Sequence, residues 1–173
     1  MSPASWTHRV VVADLPPEGE FFELMPDEAT RVTLARHVGV LALPALRVRL
    51  KVIPTGKGGA LVEGDLEARV RQTCVVSLEA FDAELRDVIS VRFAPEVAAA
   101  PGLVVEIGDD DLPDPLVDGA LDLAAVVTEF LALTIDPYPR KPGAVFAPPA
   151  ETKDPSASPF AALDKLKGTQ SKK

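Results

Sequence analysis

The sequence predicts an α+β fold, in which an antiparallel sheet of about four to six strands packs against two helices. Three features support this prediction. Alternating apolar and polar residues mark consecutive strands, two capped stretches have helical periodicity, and a proline- and alanine-rich segment separates a short amphipathic peptide from the rest. Gly58, Gly59 and Gly64 also allow the sheet to curl into an open, barrel-like shape.

The centre of the sheet is predicted from side-chain alternation. Leu46–Ile53 alternates aliphatic with basic residues, and Ala60–Cys74 repeats the pattern after the glycine-rich turn 54–59. Glu84–Phe93 supplies a third strand with aliphatic and aromatic residues on one face. Because the connections are short, the three strands are expected to form an antiparallel meander.

The remaining elements are predicted from caps and shorter apolar runs. Residues 27–38 predict a first helix that Gly39 closes, and Asp122 is placed to cap a second helix on the apolar face of the sheet. Its apolar positions follow helical spacing at Leu123, Val126, Val127, Phe130 and Leu131. Short strands are expected at Ser5–Ala13 and Leu103–Ile107.

The domain organisation follows from length and composition. With 173 residues, the chain fits one domain, which we place at residues 1–146. Residues 147–159 have the composition of a linker. Residues 160–173 begin with a tethered amphipathic peptide whose apolar residues recur every three positions, and these are Phe160, Leu163 and Leu166. An isolated helix this short is marginal in water, so the peptide is expected to order only when docked.

The charge and the single cysteine limit the partners and the compartment. The net charge is −8, which disfavours bulk binding to nucleic acid and argues against a DNA partner. Residues 100–146 carry two Lys+Arg and nine Asp+Glu, whereas residues 147–173 carry five and three. One cysteine excludes a disulfide within the chain, and neither a signal sequence nor an apolar span of about 20 residues is found. We therefore expect a cytoplasmic protein with no membrane partner.

Few residues offer catalytic or metal-binding chemistry. Cys74 is the only thiol, His8 and His37 are the only imidazoles, and none has the spacing of a zinc site. The acidic segment Asp109–Asp118 lacks the pattern of a calcium loop, and the glycine-rich turn lacks the flanks of a phosphate loop. No cofactor and no enzymatic activity are expected. A small hydrolase that uses Cys74 or a metal on the acidic segment is the less favoured alternative.

Basic side chains on the polar faces of the three central strands form a candidate basic surface. If the predicted register is right, the residues on this one face are Arg47, Arg49, Lys51, Arg69, Arg71, Arg86 and Arg92. An ordinary solvent-exposed face with cross-strand ion pairs is one interpretation. The other is a local patch for RNA or for an acidic protein surface.

A second candidate surface combines acidic, proline-flanked and apolar residues. In the segment 135–143, three prolines hold the chain extended around its only tyrosine. This segment is either a rigid strap with a packed tyrosine or an exposed recognition edge. The candidate partner-binding residues are Asp110, Asp111, Asp114, Tyr138, Arg140, Lys141, Phe160, Leu163 and Leu166.

Several of these motifs, in this order, resemble the YceD-like family of large-ribosomal-subunit RNA accumulation proteins, in its alphaproteobacterial type. The resemblance rests on the sequences at Val62–Phe81, Asp87–Phe93, Asp111–Phe146 and Ser158–Gly168, the last being SPFAALDKLKG. It implies a non-enzymatic factor needed for normal levels of large-subunit ribosomal RNA. Many relatives carry a second cysteine three residues after the first, where this chain has Ser77.

The resulting hypothesis is a ribosome-biogenesis factor that supports the accumulation, maturation or stability of large-subunit ribosomal RNA by binding. Its partner is expected to be a ribosomal protein or a large-subunit RNA precursor, and the acidic segment slightly favours a basic protein. The alternative is a protein–protein adaptor that uses the C-terminal peptide.

Overall fold

The computed structural model describes residues 6–95 and 113–146. In chain order, the elements are β1 (Arg9–Val11), β2 (Glu20–Leu24), α1 (Glu28–His37), β3 (Ala42–Thr55), β4 (Gly59–Thr73), β5 (Ala80–Pro95), β6 (Asp114–Leu116), β7 (Ala120–Asp122) and α2 (Leu123–Thr134). Five strands form one mixed sheet in the order β2-β3-β4-β5-β6, and β1 pairs with β7 in a two-stranded ribbon. The predicted α+β class is confirmed.

The predicted meander forms the centre of the sheet. β3 and β5 are longer than the sequence predicted, whereas β4 has the predicted length, and the three strands pair antiparallel over most of their length. The aliphatic residues of β3 point into the core, where Val48, Leu50 and Val52 are almost completely buried. The turn between β3 and β4 is a hairpin, in which Lys57 and Gly58 both have positive φ angles.

Two features of the sheet concern its closure and its packing. It does not close into a barrel, because β2 and β6 lie at its two edges and do not pair with each other.

Gly64, at the middle of β4, lies opposite Leu50 on one neighbour and Ile89 on the other. A Cβ atom there would overlap the Arg49 carbonyl oxygen and approach the Leu50 Cα within 2.8 Å. Only glycine therefore fits this position without a backbone shift.

Helix α1 begins and ends where the sequence predicted. The Asp27 carboxylate accepts a 2.8 Å hydrogen bond from the Thr30 amide. At the other end Gly39 has a φ of +77° and the Val40 amide donates to the Ala35 carbonyl at 3.0 Å, which is the Schellman arrangement. Val32 lies on the solvent side of this helix and is 45% exposed. It lies two residues before the buried Leu34, about 200° around the helix.

Helix α2 covers the inner face of the sheet, as predicted. Asp122 caps it by accepting a 3.0 Å hydrogen bond from the Ala124 amide. Leu123, Val127 and Leu131 are fully buried at successive turns, against β4, β5 and β1. Among the residues that the structure describes, no helix has both the length and the apolar character needed to span a bilayer.

The short strands differ from the predictions. β2 was not predicted, and the strand expected at Ser5–Ala13 is reduced to β1 followed by a 3-10 turn. The segment expected to be an acidic loop up to Asp118 contains β6, which runs parallel to β5 and not antiparallel. Asp118 and Gly119 then form a tight turn with φ angles of 53° and 66°. The strand expected at Leu103–Ile107 lies outside the described residues.

Candidate binding surfaces

All seven cations of the candidate basic surface lie on one face of the five-stranded sheet, which we call the outer face. The register aligns Arg47 of β3 with Glu67 of β4 and Arg86 of β5. In the next row Arg49 lies opposite Asp65. Cations and carboxylates therefore alternate across the strands of the outer face.

Three of the seven cations form ion pairs on this face. Their bonds run from Arg47 Nε to Glu23 at 2.7 Å, from Arg71 Nε to Asp82 at 2.7 Å, and from Arg69 to Glu84 at 3.3 Å. The Arg71 hydrogen bond lowers the pKa of the Asp82 carboxyl below its ordinary value. Exposed pairs of this kind contribute about 0–1 kcal/mol each to stability, so their main effect here is to neutralise charge.

The other four cations on the outer face have no ion-pair partner within the described residues, and these are Arg49, Lys51, Arg86 and Arg92. The Lys51 ammonium lies 5.3 Å from the centre of the exposed Phe21 ring, which is a cation–π distance. Six carboxylates share the face, from Glu23, Glu63, Asp65, Glu67, Asp82 and Glu84. Seven positive charges against six negative ones leave the outer face almost neutral.

The segment 135–143, which we call the strap, is fixed to β4 and to the loop after it. The Gln72 amide group donates to the Asp136 carbonyl at 3.2 Å, and the Val75 amide donates to the Pro139 carbonyl at 2.9 Å. The Lys141 ammonium pairs with Glu79 at 2.9 Å. Tyr138 is 72% exposed. The backbone is therefore a strap, and the interpretation that packs Tyr138 against the core is wrong.

Cys74 lies at the junction of β4 and this loop and is fully buried. Its Sγ accepts hydrogen bonds from the Val76 and Ser77 amides, both at 3.4 Å. Hydrogen bonds from the Ser77 hydroxyl and amide, and then from the Lys141 amide, lower the pKa of the thiol to about 6, although burial opposes the shift. The sulfur is therefore an acceptor that organises the loop and the strap around it.

A groove between α2, β1 and the β6–β7 hairpin, which we call the α2 groove, is the second surface with distinctive chemistry. Its volume is about 550 Å³, and its apolar lining comes from Phe93, Pro115, Val117, Leu121, Ala125 and Val126. Val117 remains 69% exposed at the tip of the hairpin. The groove therefore offers an apolar floor that solvent reaches.

The rim of the α2 groove is acidic. Among the described residues, four carboxylates line it, those of Asp114, Asp118, Asp122 and Glu129, against a single cation, Arg9. The Asp122 carboxylate is already engaged, since it caps α2 and accepts the His8 amide at 2.7 Å. The other three carboxylates are exposed and have no ion pair within the described residues.

The predicted partner-binding residues are divided between two places. Asp114 lies on the α2 groove, whereas Tyr138, Arg140 and Lys141 lie on the strap beyond the other end of α2. Asp110, Asp111, Phe160, Leu163 and Leu166 lie outside the described residues. Sequence reasoning missed Asp118 and Glu129 as rim residues, although the Asp-Gly pair at 118–119 was a signal for a hairpin.

A model of the family described as large ribosomal RNA subunit accumulation protein YceD matches residues 62–167, more than half of the 173-residue chain. The chain belongs to the YceD family. The matched part includes most of β4, all of β5 to β7, α2 and the strap, so the YceD unit contains the α2 groove except for its β1 side. The family's description indicates a role in the accumulation of the large ribosomal RNA subunit. No curated protein and no solved structure matches the chain.

Proposed function

We propose that this YceD protein supports large-subunit RNA accumulation in the cytoplasm by binding, without catalysing a reaction. Its partner is a basic segment of a large-subunit ribosomal protein, and the binding site is the α2 groove. The observation that carries this proposal is the combination of an apolar floor with three exposed rim carboxylates that form no ion pair with any residue that the structure describes.

The groove has the two components that recognition of a basic peptide requires. When apolar side chains of the partner cover Val117 and its neighbours, the complex is stabilised by roughly 25 cal/mol per Å² of apolar surface removed from water. The carboxylates of Asp114, Asp118 and Glu129 then select lysine and arginine, because opposite charges across an interface raise the association rate and reject acidic partners. Proteins that contact ribosomal RNA are rich in such cations, since they neutralise phosphates.

Two observations support binding over catalysis. The thiol of Cys74 is buried, and amide groups of its own loop occupy its sulfur. The rim carboxylates are exposed, so water reaches them and they do not lie in a water-excluded site.

The test is capture of partners from lysate by the tagged protein, with and without RNase. The variant Asp114→Asn/Asp118→Asn/Glu129→Gln removes three negative charges from the rim. Glu18→Gln/Glu20→Gln/Glu63→Gln removes the same charge from exposed positions elsewhere. We expect RNase-resistant capture of a large-subunit ribosomal protein, lost with the rim variant and kept with the control. RNase-sensitive capture that the rim variant leaves unchanged would contradict the proposal.

Direct contact with RNA through the outer face is a second candidate, favoured by the four cations that form no ion pair with the part of the chain that the structure describes. The variant for this candidate is Arg49→Gln/Lys51→Gln/Arg86→Gln/Arg92→Gln. If these cations bind phosphates, RNase abolishes capture, and each lost contact lowers the slope of log affinity against log salt by about 0.7–0.9. An unchanged salt slope would eliminate this candidate.

A further inference from the structure

We propose that the chain's own C-terminal peptide, residues 160–167, docks in the α2 groove and must leave before the groove can accept a basic partner. The docking rests only on the groove and the peptide. The displacement by a partner rests on the proposed function.

The floor of the groove fits an amphipathic helix of about two turns. Leu121 and Val126 lie at its base, nearly buried, while Val117 and Ala125 stand exposed above them. Helix-in-groove recognition uses apolar residues three or four positions apart on one side of the bound helix. Phe160, Leu163 and Leu166 have this spacing.

The peptide has its own start signals and needs a surface to fold on. Ser158 is an N-cap residue, and Pro159 suits the first helical position. A helix of this length is not stable alone in water, because the hydrogen bonds of one or two turns do not offset the unfavourable free energy of helix nucleation. Docking the apolar side supplies the missing stabilisation.

The charges of the two parts are complementary. Residues 160–173 contain four lysines and one aspartate, Asp164. Within residues 6–95 and 113–146, the groove presents four carboxylates and the single cation Arg9. With the apolar side of the peptide on the floor, Lys167 lies about 40° from the centre of that side, so the last turn brings its ammonium to the rim, where Asp114, Asp118 and Glu129 are exposed. Lys165 lies on the opposite side of the helix.

The linker is long enough to bring the parts together. The described chain ends at Phe146, and 13 residues separate it from Phe160. A flexible segment of that length has a root-mean-square extension of about 20 Å and a maximum near 45 Å. α2 has 12 residues, and a helix of that length measures about 18 Å. The strap follows its C-terminal end, so the groove along its first half is within reach.

The family match supplies an independent argument. It continues through the linker and ends at residue 167, one residue after Leu166. The peptide therefore belongs to the same YceD unit as the hairpin and α2. An unrelated tail would lie outside the match.

The experiment uses the full chain, labelled with ¹⁵N, and compares it with Phe160→Ala/Leu163→Ala and with the control Thr169→Ala/Ser171→Ala. We expect order parameters near 0.85 for amides 160–167 in the natural chain and in the control, and below about 0.6 in the apolar variant. The amide shifts that change should be those of Val117, Leu121, Ala125 and Glu129. The rim variant should also lower the order of the peptide.

Three results would overturn docking: a peptide that is mobile in the natural chain, shifts confined to the outer face or the strap, or order that depends on protein concentration and so reports a second copy. If the groove amides have the same chemical shifts in the apolar variant as in the natural chain, the groove is filled by another segment, residues 96–112. That result would also overturn docking of the peptide. Lysate capture then tests the link to function, and Phe160→Ala/Leu163→Ala should raise capture of the ribosomal protein several-fold. If the peptide docks but the variant captures no more ribosomal protein, the intramolecular contact exists and the groove is not the binding site for that protein.

Discussion

The Thr134 hydroxyl donates a 2.6 Å hydrogen bond to the Asp87 carboxylate, and this bond joins the last turn of α2 to the middle of β5. Asp87 lies on the inner face of the sheet, opposite Leu66, where alternation places apolar residues. The carboxylate is also held by the Val88 amide at 2.8 Å. A charged group is therefore accommodated at the edge of the core because a helix hydroxyl reaches it.

Replacing Thr134 by Val keeps the shape of the side chain and leaves Asp87 without this donor. We expect the free energy of unfolding to fall by about 1.5–3 kcal/mol, the usual contribution of a hydrogen bond to a charged group. Thr128→Val is the matched control, because among the described residues the Thr128 hydroxyl bonds only to the Ala124 carbonyl of its own helix. Urea denaturation measures both variants, and equal losses would show that the bond to Asp87 contributes nothing specific.

Gly64→Ala tests the close approach of β3 and β4. The added methyl group would collide with the backbone at Arg49 and Leu50, which cannot move without disturbing the central hairpin. We expect a loss of about 3 kcal/mol or more, at the upper end of overpacking effects. At Gly56 an added Cβ meets nothing within 4 Å, so Gly56→Ala should stay within about 0.5 kcal/mol of the natural chain. Similar midpoints in urea for the two variants would refute this account.

The Cys74 thiol should titrate near pH 6, because the hydrogen bonds from Ser77 and Lys141 favour the thiolate. It is the only cysteine, so thiolate absorbance at 240 nm reports it alone. Ser77→Ala removes the largest cause of the shift and should move the midpoint upward. A midpoint near 9 in the natural chain, the ordinary value for a thiol, would contradict the assignment.

The same shift makes stability depend on pH. Because the pKa of the folded thiol lies below that of the unfolded one, its stabilising contribution is complete above about pH 9 and is lost as the pH falls through about 6. Between these values the stability of the natural chain should increase with pH more than that of Cys74→Ser. Parallel pH profiles of the two proteins would show that the thiolate does not stabilise the fold.

Gln72 should govern how firmly the strap is attached. Gln72→Met keeps the length of the side chain but removes the donor to the Asp136 carbonyl. If the free energy that holds the strap closed falls by about 1.4 kcal/mol, the open state becomes about tenfold more populated. Trypsin should then cut after Arg140 about tenfold faster. Glu79→Gln removes only the exposed ion pair with Lys141, so its effect should be less than threefold. If Glu79→Gln has the larger effect, the ion pair holds the strap.

The elements that the sequence predicted well are long and periodic. β3, β4 and α2 show their buried faces as spacing of two or of three and four residues, and Asp27 and Asp122 mark the helix starts. β2, β6 and β7 have three to five residues each, too few for a period to emerge.

The α2 groove could not be predicted because its lining comes from Arg9, Phe93, the hairpin and α2, which only the tertiary fold brings together. The direction of Tyr138 was also undetermined, since the proline-flanked strap has no alternation that assigns a side to its residues. The shared face of the basic residues was predictable, because register in a long meander follows from which side is buried.

The pairing of β1 with β7 has a consequence for how the chain acquires its structure. Arg9 pairs with Asp122, and the His8 amide binds the same aspartate across 114 positions of sequence. The β3–β5 meander closes through local turns, whereas this ribbon joins strands more than a hundred positions apart, so we expect it to form after the main folding barrier. Mutations such as Val10→Ala should then accelerate unfolding and leave the refolding rate nearly unchanged, whereas Val62→Ala should slow refolding. During synthesis, β1 therefore stays unpaired until more than a hundred further residues have been made.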